Sequence, residues 1–156
     1  MKTYRLECSM SVPVSLREAF AFFEDPRNLE RITPPWLQLR ILSPERVVMR
    51  KGAEIHYEIR WLGLPLKWKT VIAEYEPPFF FVDVETSGPY AYWHHRHDFK
   101  PSEYGALVSD RVDYALPLGL LGRLAHRMKV RKQLEDIFDY RQKALSEILT
   151  GTIAAK

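Results

Sequence analysis

From Arg123 to Leu149 the chain runs without a proline or a glycine, in a composition of Leu, Met, Lys, Arg, Gln and Glu that favours helix. Much of what precedes it alternates with a period of two. A long amphipathic helix after a run of short-connected strands constrains the fold more than any other feature. Antiparallel strands on tight turns make a twisted sheet with one face to hide. This helix is the one element large enough to hide it.

The alternation is explicit. Tyr4, Leu6, Cys8 and Met10 point one way and Arg5, Glu7 and Ser9 the other, until Pro13 ends the strand. Ile55, Tyr57, Ile59 and Trp61 share a face over residues 54–62, and Trp68, Thr70 and Ile72 share one over residues 66–75. Further strands are expected over 79–86, 91–100 and 106–116, with a weak one over 38–42. Gly63-Leu64-Pro65, Pro77-Pro78, Gly88-Pro89 and the segment Pro101 to Gly105 separate them. Before these strands, Ser15-Leu16-Arg17-Glu18 is a capping-box signature that opens a helix. Asp25-Pro26 opens a second, which Thr33-Pro34-Pro35 stops. One strand, two short helices, a run of antiparallel strands and a long helix define an α+β chain. Residues 1–150 read as a single domain, with 151–156 as a tail.

Composition bears on function mainly by exclusion. At 156 residues and 46% hydrophobic, the chain can close a core without disulfides, and its one cysteine rules out a disulfide framework. Lys and Arg outnumber Asp and Glu by 23 to 20, too slight an excess for a nucleic-acid-binding face. No apolar run opens the chain and none reaches the length of a membrane span, so the expected location is the cytoplasm. Gly-rich phosphate loops, Gly-x-Ser-x-Gly, dinucleotide fingerprints and His-Glu-x-x-His are all absent, and no cofactor is expected.

The chemistry-bearing residues concentrate in the last hairpin. Trp93, His95, His97 and Phe99 share one face, and Val108, Asp110, Val112 and Tyr114 share a face of the returning strand. Folding about the turn is expected to bring His95 to Asp110 and His97 to Val108. Asp110 then either orients a buried imidazole or forms with His95 a catalytic acid/base pair. His95, His97 and Asp110 as a metal set is the third alternative, and no metal is expected. On the last helix, Leu134, Ile137, Phe138, Leu145 and Ile148 form an apolar stripe with Arg141 in its middle. A buried guanidinium needs a partner. Asp110 or Glu74 could latch it to the sheet, it could reach water past the sheet edge, or it could hold an anionic ligand head. Arg123, Arg127, Lys129, Arg131 and Lys132 crowd the start of this helix behind Leu118, Leu120 and Leu121. They make either a solvated face or a weak contact with an anionic membrane surface or with a ligand headgroup near the cavity mouth.

Several stretches carry a family resemblance. They are Phe20 through Asp25-Pro26-Arg27-Asn28-Leu29, then Pro34-Pro35-Trp36, then Gly88-Pro89-Tyr90 through His97-Asp98-Phe99. Asp110 to Tyr114, Pro117-Leu118-Gly119 and Ile137 to Arg141 complete them. With these the chain resembles the START-like helix-grip superfamily, also called SRPBCC or polyketide cyclase/dehydrase-like, and in particular its small bacterial stand-alone members. The resemblance implies a curved seven-stranded antiparallel sheet wrapped around the long C-terminal helix, with an apolar cavity between them. It implies a small hydrophobic or amphipathic ligand of lipid, quinone or polyketide type. Trp36 would border the opening. Tyr57, Trp61, Trp68, Phe81 and Trp93 either line the cavity or simply pack a core. His95, His97, Tyr114, Phe138 and Arg141 complete the expected ligand-binding set. The alternatives are a cyclase, dehydratase or hydrolase using His95 and Asp110, and an interaction protein whose interior is filled by side chains.

Overall fold

The computed structural model describes residues 1–43, 47–61 and 63–151. The alternating segments form β1 (Tyr4–Val12), β2 (Arg40–Ile41), β3 (Glu54–Trp61), β4 (Leu64–Glu76), β5 (Phe80–Ser87), β6 (Tyr92–Ser102) and β7 (Gly105–Ala115). They make one antiparallel sheet in the order β1-β7-β6-β5-β4-β3-β2. From β2 to β7 each strand pairs with the next in sequence, as tight turns require, and β1 closes on β7. The helices are α1 (Leu16–Glu24), α2 (Asn28–Ile32), α3 (Gly119–Ala125) and α4 (Arg131–Leu149), with α3 and α4 joined through one π turn at His126–Val130. The α+β helix-grip architecture expected from the sequence is therefore the one observed. Leu62 and the tail beyond Gly151 lie outside the described residues. No helix among the described residues is long and apolar enough to cross a membrane.

Local signals explain most boundaries. The Glu18 N–H donates to Ser15 Oγ at 3.3 Å and the Ser15 N–H to Glu18 Oε2 at 2.9 Å, the reciprocal pair that opens α1. α2 begins later than Asp25-Pro26 suggests. The Asp25 carboxylate instead takes the Arg27 N–H at 3.0 Å and the Arg27 guanidinium at 2.6 Å, and a turn precedes the helix.

The C-terminal helix begins at Gly119, earlier than its glycines suggested. A Cβ on Gly122 would lie 2.1 Å from the Pro117 carbonyl oxygen, so this glycine permits a close approach rather than breaking a helix. The π turn aims His126 inward. Its Nε2 lies 2.9 Å from the Tyr114 hydroxyl, and its ring stacks on Tyr4 at 3.5 Å.

One strand register and one side-chain facing differ from expectation, for identifiable reasons. β6 continues through Pro101 and Ser102 to a two-residue turn, with Ser102 opposite Gly105. The register therefore sets His97 opposite Asp110 and His95 opposite Val112, two residues from the expected pairing, although the His95 side chain still reaches Asp110 as expected, Nε2 to Oδ1 at 2.9 Å. In β4 the register shifts between Ile72 and Glu74 and turns Glu74 outward, where it lies 3.9 Å from Arg96. Glu74 is thus no partner for Arg141.

The core lies between the sheet and the helices. Phe20 of α1 meets Phe99 at 5.1 Å and Phe81 at 6.0 Å between ring centroids. Each such buried phenyl ring stabilises by about 1.5–3 kcal/mol. Leu134, Phe138, Arg141, Ala144 and Leu145 are the buried face of α4.

Candidate functional site: a cavity between sheet and helix

Where α4 stands over the middle of the sheet, the side chains leave a cavity of about 570 Å³. The period of two decides its walls. β3 contributes Tyr57 and Trp61, β4 contributes Trp68 and Thr70, β5 contributes Phe81 and Asp83, and β6 contributes Trp93, His95 and His97. α4 supplies Leu134, Phe138 and Arg141, and Leu37, Pro89, Leu118 and Leu121 also line it. Trp68 stacks on Tyr57 at 5.5 Å and meets the edge of Trp93 at 5.2 Å. The Trp61 indole N–H donates to Gln133 Oε1 at 2.7 Å and ties β3 to the helix.

Three residues expected at this site are placed elsewhere. Trp36 is 56% exposed on a single 3-10 turn, Pro35–Leu37, with its ring against Tyr140 at 5.8 Å. Adjacent positions of so short a turn face different ways, and Leu37 takes the cavity side. Tyr114 is buried and engaged with His126. Asp110 lies behind the two imidazoles rather than on the wall.

That polar cluster is the least expected part of the cavity floor. His95 Nε2 lies 2.9 Å from Asp110 Oδ1, and His97 Nδ1 lies 2.8 Å from the same oxygen. On the cavity side, Asp83 Oδ2 is 3.2 Å from His97 Nε2 and 3.5 Å from His95 Nδ1. The imidazole centroids are 3.8 Å apart. His95, His97 and Asp110 are 4%, 5% and 6% exposed, so their charges are settled among themselves.

Burial pushes the Asp110 carboxyl upward, but the charge of His97 close beside it and the hydrogen bond from His95 outweigh it and hold Asp110 well below the usual carboxylate range. Asp83 is lowered in the same way, burial being outweighed by His95 and His97. Burial and the neighbouring His97 lower His95. For His97 burial is overcome by Asp110 and Asp83, and its pKa rises. The cluster thus favours ionised carboxylates and drives the two imidazoles apart, His97 toward the charged form and His95 toward the neutral one. His95 makes the shorter contact with Asp110 and the longer one with Asp83. Cys8 Sγ, 3.9 Å from Asp110, is a packing residue, its thiol pushed up to about 12 by burial and by that carboxylate.

Asp83 was missed in the sequence, although it follows Phe81 by two residues and so shares its inward face. Its position changes the candidate metal ligands. Asp83, His95 and His97 offer one ligand atom each within 4.8 Å of one another, whereas Asp110 sits on the far side of the rings.

Arg141 is 8% exposed and stacks on Phe138, with Cζ 4.7 Å from the ring centroid. Its expected latch to Asp110 is not formed, because His95 and His97 occupy that carboxylate.

Comparison with known proteins agrees with this architecture. Residues 12–138 match the sequence profile of polyketide cyclase/dehydrase and lipid transport proteins. A protein of Chromobacterium violaceum superposes with a TM-score of 0.73 at 13% identity, over 93% of this chain and 96% of that one. A START superfamily protein of Mycobacterium smegmatis gives 0.71 at 12% identity, over 96% and 99% of the two chains. A ginseng major latex-like protein from Panax ginseng gives 0.69 at 14% identity, over 94% and 97%. No curated protein matches the chain. At these identities the structural likeness speaks for the fold alone.

Proposed function

This chain belongs to the polyketide cyclase/dehydrase and lipid transport family of START-like proteins, and on that premise we propose that it binds a small hydrophobic or amphipathic molecule of lipid, quinone or polyketide type between the sheet and α4. Family and fold support a ligand-binding role. The observation that carries the proposal is the cavity itself. Its volume of about 570 Å³ suits a small-molecule site, and its walls are mostly apolar with a few convergent polar groups. Loading at an anionic membrane surface belongs to the same proposal, since Leu118 and Leu121 both line the cavity and face solvent.

A cyclase- or dehydratase-type lyase is the second reading. It is favoured by His95, which lines the cavity with Asp110 held behind it at 2.9 Å. Against it stands the geometry of the cluster, in which each ring nitrogen of both histidines lies within 3.5 Å of a carboxylate.

A titration with the neutral apolar fluorophore Nile red tests the binding proposal. Wild-type protein should show saturable enhancement. Ile59→Trp, which extends a half-buried wall residue into the space, should weaken binding by roughly tenfold or more. Overpacking costs about 1–3 kcal/mol, so a thermal melt confirms that the variant is folded. No saturable binding by the wild type, or undiminished binding by a folded Ile59→Trp, would reject the cavity as a binding site.

A further inference from the structure

Arg141 breaks the chemistry of the helix face that carries it. The other buried positions of α4 are Leu134, Phe138, Ala144 and Leu145, all apolar. Arg141 is more than nine-tenths buried and lines the cavity. Its Nε has no hydrogen-bond partner, and no carboxylate of the described residues comes within 4.0 Å of its guanidinium. The nearby carboxylates are engaged by other cations or donors, Asp110 by both histidines and Asp83 chiefly by His97. A second buried donor on the wall, the Trp68 indole N–H, is likewise unpartnered. An uncompensated buried guanidinium is strongly unfavourable and is relieved by an anion that hydrogen-bonds to it.

We infer that Arg141 holds the acidic head of the cavity's ligand, a carboxylate carried on an apolar body. This rests on the ligand-binding reading above. The planar guanidinium matches a carboxylate through two parallel N–H donors. The aromatic walls formed by Tyr57, Trp68 and Trp93 suit the apolar body. Two aspartates, Asp83 and Asp110, already flank the imidazoles beside the cavity and disfavour a doubly charged phosphate more than a singly charged head.

Matched pairs of probes test this: decanoic acid against decanol, and naphthoic acid against naphthol, each titrated calorimetrically and by displacement of Nile red. Wild-type protein should bind the acid of at least one pair roughly ten- to a hundredfold more tightly than its neutral partner. Arg141→Met should abolish that preference, and Arg141→Lys should keep part of it. Equal affinity for acid and neutral partner in both pairs overturns the inference, even if Nile red still binds. So does an acid preference that survives in Arg141→Met. Failure of Nile red and all four probes overturns the ligand-binding reading as well. The comparison within wild-type protein decides the matter even if Arg141→Met does not fold.

Discussion

Each ring nitrogen of His95 and His97 lies within 3.5 Å of a carboxylate, and this shared arrangement sets how the protein answers to pH. Asp110 has a folded-state pKa well below its unfolded value, so its contribution is complete above about pH 4 and is lost as the pH falls toward the folded value. His97, raised, contributes below about pH 6.5 and loses that contribution as the pH rises through its folded value. His95, lowered, favours its neutral ring, so its contribution is present above about pH 6.5 and is lost as the pH falls toward its folded value. Below about pH 4 the acid limb belongs to the carboxylates. Asp110→Asn should destabilise the protein at pH 7 by about 3–5 kcal/mol, because it removes the carboxylate that both buried imidazoles contact. Denaturant melts should show that deficit shrinking as the pH falls below about 4. A deficit constant from pH 7 to pH 3 would contradict the assignment. At this scale the sequence was partly legible. Alternation placed His95, His97 and Asp110 on inward faces, since a strand's period leaves no choice. It brought His95 to Asp110 but not His97, because a two-residue shift of register moved His97 opposite Asp110, and it missed the bulge that turned Glu74 away.

Among the elements, α3 and the π turn after it are the ones whose surface the core does not explain. Leu118, Leu120, Leu121, Leu124 and Met128 are 55% to 77% exposed on this one segment. Arg123, Arg127 and Lys129 are exposed among them, whereas Arg131 and Lys132 pair with Glu135 and Asp136 one turn later. Exposed large apolar side chains beside exposed cations suit the surface of an anionic bilayer. The protein should co-sediment with phosphatidylcholine vesicles containing phosphatidylserine, and much less with phosphatidylcholine alone. Leu120→Ser/Leu124→Ser should reduce the bound fraction severalfold without lowering the melting temperature. Equal sedimentation with both vesicle types, or none with either, would remove the membrane from the account. The sequence showed the cations and the leucines, and it misplaced the helix start. Gly119 and Gly122 read as breaks because only the tertiary fold reveals the Pro117 carbonyl that Gly122 must approach.

For the whole molecule, the sheet and the covering helix could be read in advance, and the space between them could not. Aromatic residues at alternate positions are the same in a filled core and in a lined cavity. Which one results depends on how far α4 stands from the strands and on side-chain rotamers, and neither leaves a trace in periodicity. Trp36 and Tyr114 illustrate the limit: both are aromatic and both were expected at the ligand, yet one lies on the outer surface against Tyr140 and the other behind the wall with His126. The central claim is that the space is a ligand site. Native mass spectrometry of freshly purified protein tests it most directly. The account predicts a fraction of molecules carrying one retained small molecule of roughly a few hundred daltons, in keeping with a pocket of this size. That adduct should disappear on denaturation and be absent from Ile59→Trp. Protein that appears only at its bare chain mass, both as purified and after incubation with an extract of cellular lipids, would contradict it.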